Sequence, residues 1–63
     1  MKLTIKEWRR VKEISQEQMA DLCGVHVNTY RAWEEKPEDI KIGKAILISD
    51  KLGIPLEDIL FTQ

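Results

Sequence analysis

The chain has 63 residues, with 10 Lys/Arg against 11 Asp/Glu, a formal charge of −1 and 43% hydrophobic residues. A chain of this length buries only about 60% of its unfolded surface, so one small domain over 1–63 is expected, with no room for an elaborate active site. A single cysteine, Cys23, excludes an intrachain disulfide. No apolar run approaches the ~20 residues of a membrane span or forms a signal-peptide core.

Residue types mark the helix ends. Thr4 followed by Glu7 is a capping box, with Leu3 and Trp8 at staple positions, which predicts a first helix over 5–12. Ser15 with Gln18, and Ile14 with Met19, repeat both devices and predict a second helix over 16–23. Gly24 stands where a left-handed residue ends a helix, because a β-carbon is costly there. Val25 and His26 then lead into a third helix over 27–35, with His26 at the N-cap and Val25 and Tyr30 at staple spacing. Pro37 stops that helix. A charged connection over 38–41 follows.

Ile42, Ala45, Ile46, Ser49 and Leu52 recur at helical spacing and predict a fourth helix over 42–52, ended by Gly53. Pro55 opens a fifth, short helix over 56–61, with Ile54 and Ile59 as its staple. An all-α, compact five-helix fold follows. Its expected core is Leu3, Trp8, Val11, Met19, Ala20, Val25, Tyr30, Trp33, Ile42, Ala45, Ile46, Leu52, Ile54, Ile59 and Leu60. The two tryptophans read as core anchors, and Cys23 as a small half-buried residue at a helix end.

Two short helices joined by a tight glycine turn, over 15–34, form a helix-turn-helix, the unit that places its second helix in the major groove. The net charge speaks weakly against a nucleic-acid partner. Its distribution is uneven, however. Residues 1–31 carry six Lys/Arg and four Asp/Glu, and residues 32–63 carry four and seven.

With these residues the chain resembles the Cro/repressor (Xre-type) helix-turn-helix family of phage and bacterial regulators. The matching positions are Ser15, Gln16, Met19, Ala20, Gly24, Val25, Thr29, Trp33 and Glu34, and the closing run Leu52-Gly53-Ile54-Pro55-Leu56-Glu57-Asp58-Ile59-Leu60. The resemblance implies a lambda-repressor-like domain that binds double-stranded operator DNA through helix 3. It also implies a buried ion pair between helices 1 and 3, by position Arg9 with Glu34. Two features depart from the family pattern. Relatives often have a glycine and several basic residues after helix 3, where Glu35-Lys36-Pro37-Glu38-Asp39 stands here. Val27 occupies a position that is often polar in relatives.

Recognition helices present N-terminal residues to base edges. Asn28 is suited to a bidentate contact with adenine, or to satisfying backbone donors at the helix start. Arg31, one turn on, can reach guanine or a phosphate. Val27 and Ala32 are candidates for a thymine methyl. The phosphate candidates are Gln16 at the open end of helix 2, His26, Thr29, Lys36, Lys41 and Lys44.

The expected function is sequence-specific transcription regulation in the cytoplasm of a bacterium or phage-infected host, as a small phage or prophage Cro-like repressor. The chain is read as nearly all DNA-binding domain, without a separate dimerisation domain. A homodimer on the operator is expected, with Leu60 and Phe61 either forming its apolar contact or closing the core. The alternative is a protein-interaction module that keeps the fold and binds DNA weakly or not at all. One histidine and one lone cysteine leave nothing to organise catalysis or hold a metal, so neither an enzyme nor a cofactor is expected.

Overall fold

Side chains open the first three helices. In the computed structural model, which describes residues 1–62, the Glu7 N–H donates to Thr4 Oγ1 and the Thr4 N–H donates to the Glu7 carboxylate. This box starts helix α1, Ile5–Val11, and Lys12 is its C-cap rather than its last residue. The second box, Ser15 with Gln18, opens α2, Gln16–Cys23. Between them Glu13 turns the chain at φ 57°, the one non-glycine residue with positive φ among those described.

Gly24 lies at φ 70° and ends α2. Its N–H reaches the Ala20 and Asp21 carbonyls, and the Val25 N–H returns to Ala20, which satisfies carbonyls that the helix leaves open. Helix α3, Val27–Glu35, is capped by an imidazole: His26 Nδ1 accepts from the Asn28 N–H at 3.1 Å. Helix α4, Ile42–Leu52, starts at Lys41 with no side-chain cap. It ends at Gly53, φ 69°, in the manner of α2, with the Ser49 hydroxyl donating to the Ile54 carbonyl at 2.6 Å.

The expected fifth helix is replaced by other structure. Leu56–Asp58 is one 3₁₀ turn. Ile59–Leu60 then runs extended as β2, in parallel with β1, Leu3–Thr4; Leu3 is opposite Ile59 and Thr4 opposite Leu60. So short a segment cannot support a helix by itself. Pairing with β1 instead gives its backbone groups partners, and Trp8 Nε1 donates to the Asp58 carbonyl at 2.9 Å beside it. A second 3₁₀ turn, Pro37–Asp39, links α3 to α4. The described fold therefore has four α-helices and a two-residue parallel ladder, not five helices.

The core gathers Ile5, Met19, Ala20, Cys23, Tyr30, Ile48, Leu52 and Ile59, with Trp8, Val25, Trp33, Ile54 and Phe61 partly buried around it. Helix α4 is rotated from the expected phase. Ala45, Ile48 and Leu52 point inward, while Ile42 and Ile46 are 69% and 55% exposed. Apolar residues lie on several sides of this helix, so spacing alone does not select one face. Val11 and Leu60 also lie outside the core, and Ile5 and Ile48, absent from the expected set, are fully buried.

Candidate nucleic-acid interface

Helix α3 divides into two faces. Tyr30, Trp33 and Glu34 turn inward at helical spacing, and the Tyr30 and Trp33 rings meet edge-on with centroids 6.0 Å apart. Asn28, Thr29, Arg31, Ala32 and Glu35 are exposed on the other side.

The inward face is tied to α1 by charge. Arg9 Nε donates to Glu34 Oε2 at 2.6 Å and Nη2 to Oε1 at 3.3 Å, with the two side chains only 11% and 4% exposed. Arg9 Nη1 donates to the Ile14 carbonyl at 2.8 Å, so the same side chain also secures the turn into α2. Burial pushes the Glu34 carboxyl up, but hydrogen bonds, chiefly from Arg9, outweigh it and hold the group below its ordinary value. Arg9 is raised correspondingly, first by its bond to Glu34.

The Tyr30 hydroxyl is fully buried near this pair without a hydrogen bond of good geometry among the described residues. Burial, then the neighbouring Glu34 carboxylate, keeps it protonated far above the ordinary tyrosine range. Burial likewise raises the Cys23 thiol, which suits a packing residue rather than a reactive one.

Gln16 carries the network outward. Its Nε2 donates to Glu34 Oε1 at 2.9 Å, and its Oε1 accepts from Arg31 Nε at 3.2 Å. Arg31 Nη1 donates to Asn28 Oδ1 at 3.2 Å, and Nη2 lies 3.8 Å from Glu17 Oε2 in an exposed pair. Gln16 and Arg31 border a cleft of about 480 Å³ that Lys6, Glu34 and Glu35 also line, open between α1, α2 and α3.

The expected contact residues fall into three groups. Gln16, Asn28 and Arg31 are brought into one hydrogen-bonded set. Thr29, Ala32, Lys36, Lys41 and Lys44 are exposed. Val27 is half-buried and packs against the core, which leaves only part of its side chain for a base, and His26 spends Nδ1 on the helix cap. Neither Glu17 nor Lys6 stood among the expected site residues. Lys6 lies three residues before Arg9 on α1, a spacing that places both on one side of the helix. Glu17 looks in sequence only like an acidic residue suited to a helix start.

Residues 5–59 match the profile of a family described as Helix-turn-helix. The chain belongs to the Xre-type helix-turn-helix family. That family consists of DNA-binding regulators, and the match spans everything from α1 to the start of β2. No curated protein and no solved structure matches the chain. Among the described residues, no helix is long and apolar enough to cross a membrane.

Proposed function

We propose that this helix-turn-helix protein is a sequence-specific transcription regulator that lays α3 in the major groove and acts as a small Cro-like repressor of phage or prophage origin. The observation that carries this reading is the exposed face of α3: Asn28, Arg31 and Ala32 stand together there, beside Gln16 at the start of α2. In that pose Asn28, Arg31, Ala32 and the open part of Val27 meet base edges. Gln16, His26, Thr29, Lys36, Lys41 and Lys44 meet phosphates. Two copies bind the two halves of a pseudo-palindromic operator.

The test is binding to duplex from the region upstream of its own gene and to scrambled duplex, across a salt series. A preference of about 10³ or more for one site, with log affinity falling linearly against log salt, is the expected result. Negligible binding to both at low salt would sink the reading. A second reading, a protein-interaction module, is favoured by the exposed Glu38 and Asp39 after α3, which repel phosphates. Under it, Arg31→Glu leaves partner binding intact, whereas under the first it abolishes operator binding.

A further inference from the structure

The hydrogen bonds around Gln16 have a fixed direction. A carboxylate only accepts and a guanidinium only donates. The Gln16 amide lies between one of each, with Nε2 toward Glu34 and Oε1 toward Arg31. The opposite amide orientation would set carbonyl oxygen against carboxylate oxygen and N–H against N–H. The buried Arg9–Glu34 pair therefore decides which way Gln16 points, and Gln16 decides where Arg31 Nε is anchored.

The same rule applies one step further out. Arg31 Nη1 donates to Asn28, so the Asn28 carboxamide turns its oxygen toward Arg31 and leaves its NH₂ outward. Glu17 takes the α2 side of the guanidinium. On Asn28 and Arg31 themselves, the groups these bonds leave over are the Asn28 NH₂ and the unused Arg31 N–H groups, all of them donors, with the exposed Glu17 carboxylate to one side. Guanine presents two neighbouring acceptors in the major groove, N7 and O6, whereas adenine pairs its N7 acceptor with an amino donor. An asparagine bidentate to adenine needs its oxygen to receive that amino group, and here the oxygen is aimed at Arg31.

We propose that Gln16, Arg31 and Asn28 form a donor-only reading unit, oriented from the buried ion pair, which selects guanine over adenine at one position of the half-site. This rests on the regulator reading above and makes Gln16 a positioning residue that acts through Arg31.

Selection of bound duplexes from a randomised library by the full chain tests it. The enriched half-site should hold a guanine at a fixed position, and 7-deazaguanine there should weaken binding about tenfold. Gln16→Met, which removes the amide and keeps the side-chain length, should collapse the guanine-to-adenine preference at that position. A lost phosphate contact would instead lower affinity for both bases equally and leave the ratio unchanged, which would overturn the positioning role. Asn28→Asp, on the exposed surface and away from the core, should lower the same ratio about tenfold by replacing a donor with an acceptor. An unchanged ratio in Asn28→Asp, or adenine enriched by the wild-type chain, would overturn the proposal while leaving operator binding intact. A library with no enriched sequence would remove the regulator reading and the proposal with it.

Discussion

The two halves of the chain are held by different means. Up to Glu35, each α-helix opens on a side chain that accepts a backbone N–H, namely Thr4, Ser15 and His26. These helices are also joined by directed polar bonds from Arg9 through Glu34 to Gln16. From Lys36 onward, none of the described helical segments opens on a side-chain cap. Burial of Ala45, Ile48, Leu52 and Ile59 and the pairing of β1 with β2 hold that half instead. Polar bonds have direction and apolar contacts do not, so the half that presents α3 gains a defined side-chain pose. The other half supplies the mass against which it packs.

The contrast breaks first at its polar centre. Arg9→Leu leaves a buried carboxylate without its cation and should lower stability by about 3–5 kcal/mol in urea unfolding at pH 7. An unchanged midpoint would show that the pair holds nothing. Acid probes the same bond. Glu34 in the folded chain lies below its ordinary 4.5, so the stability it confers is complete above that pH and drains away as pH falls through the folded value. Glu34→Gln should start less stable at neutral pH and lose less on acidification over that window.

The apolar half is sharpened by two isoleucines on opposite sides of α4, Ile48 facing in and Ile46 facing out. Ile48→Ala should cost about 2–5 kcal/mol, as for a buried aliphatic side chain. Ile46→Ala should stay within about 0.5 kcal/mol, as for an exposed one. Thermal melts that rank the two in reverse would restore the helical phase expected from sequence. Caps come next: Ser15→Ala removes the acceptor of the Gln18 N–H and should cost about 1 kcal/mol, read in the same melts. The smallest effect should be a gain. Glu13→Gly relieves a side chain held at positive φ and should raise stability by about 0.5 kcal/mol, and a lower melting temperature would contradict it.

The same division explains what was legible in the sequence. The bounds of α2, α3 and α4 follow from Ser15, His26 and the glycines at 24 and 53, because caps and left-handed turns are local events between neighbours. The inward phase of α4 is not local. It depends on which of its apolar sides meets α2, and Ile42, Ile46 and Ile48 look alike in sequence. The last segment misled for a related reason. Pro55 and the staple spacing of Ile54 and Ile59 signal a helix, but the competing partner, β1, sits at the other end of the chain where no local pattern reveals it. At the interface, Asn28, Arg31 and Gln16 could be singled out by residue type and position. Their mutual bonds could not, because these depend on how α2 crosses α3.

The strand pair also bears on the order in which the molecule assembles. The contacts of α2 with α3 join neighbours in sequence and close small loops, whereas Leu3 meets Ile59 across nearly the whole chain. Closing the larger loop costs more chain entropy, so the helical pair should form early and the ladder late. A weakened ladder, as in Leu3→Ala, should therefore leave the refolding rate nearly unchanged and speed unfolding, in stopped-flow traces across denaturant. The two-residue ladder would then act as a clasp, fastened after the reading helix is already in place.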